Sequence, residues 1–351
     1  MANVPSRKVL VPVIGQQHSA TAHRRITTRF GEAFLLYLII EQQVYGTVHG
    51  PTKITTCFQP TSIQSKSRGV VLLIHGFGAG SAVWTKDIDL LCEQFEKIYT
   101  IDLIGFARSN KEDGVPSLVD PEELFIDSIE TWRSFLDIKS LTIVGHSFGG
   151  FLASLYCIKH MDRVEKLCLA SPIGLIPAFD RKKASTFETM WIELGRIFYE
   201  YGITLNSVLR AAGPLSTYLV RLHGKWRFVN GTKLLSKYIH AVNILKHNSI
   251  SLRTEKAIFS MLLPGAFAKH PLSERVVTTH RKVISDLVKR TTVLYGENDW
   301  MDYREMKQLN VILRRITGNV VPISFVKNSG HQLFWDNPEG FVETMMTGLD
   351  R

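Results

Sequence analysis

Leu141-Thr142-Ile143-Val144-Gly145-His146-Ser147-Phe148-Gly149-Gly150-Phe151-Leu152 decides how this chain folds. Its first four residues form a short apolar run with β-branched side chains, the pattern of a buried strand. Phe151-Leu152-Ala153-Ser154-Leu155-Tyr156 is apolar and free of breakers, and predicts a helix. G-x-S-x-G lies between the two. A strand turning sharply into a helix projects one side chain from the carboxyl end of the sheet. Side chains at Gly145 and Gly149 would collide with the crowded turn. Ser147 is then expected as an exposed hydroxyl on strained backbone, beside helix N–H groups that favour negative charge. A glycine-rich turn with an incidental serine is the alternative, and the strand and helix around the motif argue against it.

Upstream, Gly69-Val70-Val71-Leu72-Leu73-Ile74-His75-Gly76 predicts a second strand, running into Phe77-Gly78-Ala79-Gly80. That loop would lie beside the serine turn. The backbone N–H groups of Phe77 and Phe148 can then form an oxyanion hole, each donor worth about 3 kcal/mol to a tetrahedral intermediate. Ile98 to Gly105 predicts another strand and turn, with Asp102, Gly105, Arg108 and Ser109 bracing the loop. Asp120-Pro121-Glu122-Glu123 opens a helix: cap aspartate, proline in the first turn, glutamate at the third position. Leu124, Phe125, Ser128, Ile129, Trp132, Phe135 and Leu136 repeat at helical spacing and predict its core face. Val164–Ser171, Thr291–Tyr295 and Val320–Val326 supply further strands. Strands alternating with helices imply an α/β protein, its sheet mainly parallel and flanked by helices.

Two more chemically useful residues follow the last strands. Tyr295-Gly296-Glu297-Asn298-Asp299 sets an acid just past a strand end, and Gly330-His331 sets a histidine after the final one. His331 would take the proton of Ser147, and Asp299 would fix the imidazole tautomer and stabilise its cation. Asp302 is a rival acid three residues on. Asp299 is preferred because it lies closer to the strand end. The chain order Ser147, Asp299, His331 is that of α/β-hydrolase triads.

These motifs resemble the α/β-hydrolase family. Gly145–Ala153, Gly296–Met301 and Phe125–Arg133 further resemble one subfamily of lysophosphatidic acid acyltransferases, cardiolipin-specific phospholipases and N-acyl-phosphatidylethanolamine lipases. The resemblance covers about Gly69 to Pro172 and Thr291 to the end. It implies the α/β-hydrolase fold with a helical cap inserted before the last two strands, and a serine hydrolase of glycerophospholipid acyl esters. Some members of the subfamily lack the serine and act as lipase co-activators; Ser147 argues against that here. Ala107 stands where many members have glycine. His331-Gln332-Leu333-Phe334-Trp335-Asp336 also matches H-x4-D, which the subfamily associates with acyl transfer from acyl-CoA. The competing explanation is that Asp336 caps the helix opening at Asn337-Pro338. No metal or bound cofactor is implied, and acyl-CoA would be a co-substrate. A non-catalytic lipid-droplet regulator of another lipase, or a small-molecule carboxylesterase, are the other readings.

The remaining sequence sets the organisation. Residues 31–174 and 288–351 read as the core, and 175–287, lacking strand alternation, as the helical cap. Leu175 to Ser285 holds 17 Lys and Arg against 6 Asp and Glu, an excess above the +10 of the whole chain. No acid occurs between Tyr201 and Thr254, where Tyr218, Trp226, Phe228 and Tyr238 interleave with the basic residues. Bases with aromatics suit an anionic membrane or lipid-droplet surface, at about 1 kcal/mol per basic residue near the lipid. A solvated basic face is the alternative. No nucleic-acid motif accompanies the charge. Cys57, Cys92, Cys157 and Cys168 form neither a disulfide framework nor a zinc site, which fits a reducing, intracellular compartment. Residues 1–30 contain Arg7, Lys8, Arg24, Arg25 and Arg29 and no acid, as in a flexible basic arm or a mitochondrial transit peptide. No secretory signal is expected. Ala33–Ile40 is apolar but far short of the ~20 residues that span a bilayer. The expected location is cytoplasmic with peripheral association to membrane or lipid droplet, the mitochondrion remaining open.

Overall fold

The computed structural model describes residues 38–46, 50–60, 68–106, 109, 120–177, 211–215, 218, 252–263 and 267–351. Strands are β1 (Leu38–Gly46), β2 (Gly50–Pro60), β3 (Arg68–Ile74), β4 (Phe95–Ile101), β5 (Leu141–His146), β6 (Val164–Ala170), β7 (Leu262–Leu263), β8 (Phe267–Ala268), β9 (Thr291–Gly296) and β10 (Ile323–Val326). Helices are α1 (Ile88–Cys92), α2 (Pro121–Phe135), α3 (Phe148–Lys159), α4 (Leu252–Met261), α5 (Leu272–Thr278), α6 (Arg281–Arg290), α7 (Arg304–Thr317), α8 (Leu333–Asp336) and α9 (Pro338–Leu349).

Eight strands form one sheet in the order β1-β2-β4-β3-β5-β6-β9-β10. From β4 to β10 all neighbours pair in parallel, while β2 runs antiparallel to β4. Parallel neighbours need crossovers, and crossover helices cover both faces of a sheet. Central strands are therefore apolar on both sides: Val71 to Ile74 in β3, and Ile143 and Val144 in β5, are fully buried. The expected mainly parallel sheet flanked by helices is what the chain forms. Its last strand is shorter than the apolar run suggests. Val320 to Pro322 stay outside β10, although the Pro322 carbonyl still accepts from the Val293 N–H at 3.0 Å. Proline has no N–H to give the ladder.

Helix α2 starts as its sequence predicts, with Pro121 in the first turn and the Asp120 carboxylate accepting from the Glu122 N–H at 2.9 Å. Its Leu124, Phe125, Ile129 and Trp132 are buried, Trp132 edge-on to Tyr99. Truncating a buried aromatic of this kind to alanine costs about 3–5 kcal/mol. Phe135, expected on the same face, is the last helical residue and is exposed.

Much of the expected insertion, and all of residues 1–37, lie outside the described residues. The described end of the insertion comprises α4, the antiparallel pair β7 and β8, then α5 and α6. Leu272, Val276, Ile284, Leu287 and Val288 of α5 and α6 are buried in the same core cluster as Val293 and Leu309. These two helices, which the sequence pattern groups with the cap, thus cover the sheet alongside α7. Among the described residues no helix is long and apolar enough to cross a membrane.

Candidate active site

Strand β5 ends at His146 and α3 begins at Phe148, leaving Ser147 alone at the corner with φ +54°. That is left-handed backbone, disfavoured for a residue with a β-carbon. The corner is held by the Ser147 N–H donating to Ala170 at 2.9 Å, and by the Ser147 carbonyl accepting from Gly150 and Phe151. A β-carbon at Gly145 would lie 2.5 Å from the Gly149 carbonyl oxygen, and one at Gly149 would lie 2.5 Å from that of His75. Both glycines are therefore required by contact. Ser147 itself is buried rather than exposed, because the turn after β3 lies against it.

The turn after β3 supplies Phe77. His75 accepts the Leu103 N–H on Nε2 at 3.1 Å, so its proton sits on Nδ1, which lies 2.8 Å from the Gly76 carbonyl. Burial lowers the His75 pKa, against the pull of Asp102 and the Gly76 hydrogen bond. Gly76 carbonyl and Phe77 N–H belong to one planar trans peptide and point in opposite directions. Pinning the carbonyl to His75 therefore fixes the heading of the Phe77 N–H. The same loop lies against the serine: a β-carbon on Gly76 would be 3.1 Å from Cβ of Ser147. Phe148 opens α3, so its N–H is among those without a carbonyl inside the helix. Asp102 braces the neighbouring turn, accepting from the Ser81 N–H at 2.6 Å, while its carbonyl accepts from the Ser109 hydroxyl at 2.5 Å.

Asp299 and His331 meet across the turns after β9 and β10. His331 Nδ1 lies 3.1 Å from Asp299 Oδ1, and both side chains are buried. Gly296 makes this approach possible, since a β-carbon there would overlap the Gly330 carbonyl. Asp299 also accepts from the Met301 N–H at 2.9 Å and from the Ser171 hydroxyl. Burial, the largest influence, raises the Asp299 pKa. Hydrogen bonds and charge from His331, with those from Ser171 and Met301, outweigh it and hold the carboxyl below its ordinary value. Asp302 is otherwise occupied: Arg304 donates to it from both backbone and side chain, at 2.8–2.9 Å. His146 Nε2 lies 2.9 Å from the His331 carbonyl, tying the histidine turn to the residue before Ser147. Trp300, half exposed, covers the outer side of the His331 ring at 5.0 Å.

Comparison with known proteins places the fold in a family. A family described as alpha/beta hydrolase fold matches residues 69–196. A bovine (lyso)-N-acylphosphatidylethanolamine lipase is 31% identical over 316 residues, covering 87% of this chain and 86% of the relative. The chain belongs to the α/β-hydrolase superfamily. A Caenorhabditis elegans protein called abhydrolase domain-containing protein abhd-5.2 is 29% identical over 95% of this chain and 70% of its own length. A 1-acylglycerol-3-phosphate O-acyltransferase of Arabidopsis thaliana is 30% identical over 79% of this chain and 65% of that protein. Among solved structures, a Bacillus anthracis bromoperoxidase aligns with TM-score 0.60 at 18% identity, covering 89% of this chain and 100% of that one. It shares the fold.

Within this α/β-hydrolase, the acid of H-x4-D has a defined place. Asp336 is the last residue of α8, and its Oδ2 accepts from the Gly330 N–H at 2.9 Å, just before His331. The expected capping role falls instead to Asn337, whose side chain accepts from the Gly340 N–H at 2.9 Å, with Pro338 in the first turn of α9. His75, His146 and Ser171 are the supporting residues that sequence patterns did not assign to the site. H-G and G-H-S contain two of them, but nothing in those letters says which backbone groups the rings hold. Among the described residues no cluster of His, Cys, Asp or Glu could hold a metal.

Proposed function

We propose that this chain is a serine hydrolase of glycerophospholipid acyl esters, working through an acyl-enzyme at Ser147. One observation carries the reading: a serine on strained strand-to-helix backbone sits where the turns bearing a hydrogen-bonded Asp299–His331 pair and the Phe77 loop converge. His331 takes the Ser147 proton as the hydroxyl attacks the ester carbonyl, and Asp299 stabilises the imidazolium. The N–H groups of Phe77 and Phe148 receive the oxyanion. Collapse expels the alcohol with the proton from His331. Water then attacks the acyl-enzyme by the same path.

The substrate class rests on relatives named for N-acylphosphatidylethanolamine lipase and acylglycerol-phosphate acyltransferase activity. A lysophospholipid hydroxyl in place of water turns hydrolysis into acyl transfer, with acyl-CoA as the donor that loads Ser147. No further cofactor enters this chemistry. Peripheral association with an anionic membrane or lipid droplet in the cytoplasm brings enzyme to substrate. The test is a fluorophosphonate probe on wild type and Ser147→Ala, followed by product profiling on a defined phospholipid panel. Labelling and turnover should both vanish in the alanine variant. An unlabelled wild type would leave a non-catalytic regulator, and activity only on short soluble esters would leave a small-molecule carboxylesterase.

A further inference from the structure

We propose that Ser171 is a positioning residue that holds Asp299 at His331. Ser171 follows the last residue of β6 and has φ +49°, left-handed backbone carried by a residue with a β-carbon. It is fully buried. Its N–H donates to the Leu294 carbonyl at 2.8 Å, on the strand that leads to the acid, and its hydroxyl donates to Asp299 Oδ2. The other oxygen, Oδ1, faces His331 Nδ1 and the Met301 N–H. The carboxylate is therefore gripped at both oxygens and cannot rotate without losing a donor. Neighbouring residues of the same turn hold the serine: Ala170 accepts the Ser147 N–H at 2.9 Å, and the Ile173 N–H reaches the Ser147 carbonyl at 3.4 Å. One short segment thus fixes the attacking residue through its backbone and the acid through one hydroxyl. Nothing in the sequence marks Ser171 beyond its place at a strand end.

This inference rests on the triad proposed above. Turnover of a soluble short-chain ester by the full-length protein tests it, with kcat, KM, pH profile and melting temperature measured for Ser171→Ala and Ser171→Gly. The titratable groups around Asp299 are His331, with the His146 ring tilted against it, the buried Tyr295, and Asp302 held by Arg304. Loss of the hydroxyl should lower kcat by roughly 10- to 100-fold at nearly constant KM, because only the geometry of the reacting groups changes. It should also move the acid limb of kcat/KM upward, since one donor that lowers the Asp299 pKa is gone. Glycine relieves the left-handed backbone, so Ser171→Gly should melt no lower than Ser171→Ala while losing as much activity. Both variants within twofold of wild type with an unmoved acid limb would overturn the proposal. So would activity that tracks melting temperature and returns in the glycine variant. Ser147→Ala, assayed alongside, separates the two readings: residual activity there removes the triad itself, whereas an inactive Ser147→Ala with unaffected Ser171 variants removes only the positioning role.

Discussion

Asp299 and Asp302 stand three residues apart, and their partners divide them. Asp299 is buried against His331 Nδ1, while Asp302 is held by Arg304, whose side chain is largely exposed. An exposed pair of that kind contributes little and moves little when broken. Asp299→Asn should therefore lower kcat by about 10⁴, by favouring the wrong histidine tautomer. Asp302→Asn should lower kcat far less, because its carboxylate is engaged by Arg304 and not by His331. Steady-state kinetics on one soluble ester decide between them, and the opposite ranking would transfer the role to Asp302. The preference for Asp299 was legible from its distance to the strand end. The supporting contacts of His146 and Ser171 were not, because each joins residues far apart in sequence through a single buried polar atom.

At the scale of elements, the turn between β10 and α9 carries a motif that admits two explanations. If Asp336 served acyl transfer alone, its removal would spare hydrolysis. Its carboxylate instead accepts from the Gly330 N–H, next to His331, while Asn337 does the capping. Both hydrolysis and transfer need His331 in place. Asp336→Ala should consequently lower the two activities in parallel, by roughly tenfold or more, through misplacement of the histidine turn. Measuring water and lysophospholipid as acceptors on the same preparation checks this; selective loss of transfer would restore the dedicated acyltransferase role. Asn337→Ala should instead cost about 1 kcal/mol of stability with little change in kcat. Apolar strands and the Asp120-Pro121 helix start were readable from sequence because their signals are local and period-driven. Aspartate and asparagine cap equally well in a sequence, so the assignment of the cap to Asn337 rests on its bond to Gly340 and on the Asp336 contact with Gly330.

For the whole molecule, the sheet and the order of its site turns follow from alternating strand and helix patterns. The reach of the insertion does not, because α5 and α6 are amphipathic helices whose burial partners lie on β6, α3 and α7 rather than nearby in sequence. Charge is the other property of the whole chain. Its +10 net charge is matched or exceeded by the excess of Lys and Arg between Leu175 and Ser285. If that segment docks on membranes, binding should require anionic lipid and weaken with salt, since exposed charges are screened over about 8 Å at physiological ionic strength. Replacing Lys225, Arg227, Lys233 and Lys237 by glutamine should reduce cosedimentation with phosphatidic acid or cardiolipin vesicles at low salt. About 1 kcal/mol per charge near the surface makes the combined loss large. Hydrolysis of a soluble monomeric ester should barely change, because Ser147, Asp299 and His331 all lie on turns of the main sheet. Docking by apolar insertion alone predicts vesicle binding indifferent to salt and to these four substitutions, and that outcome would rule out electrostatic docking by this segment.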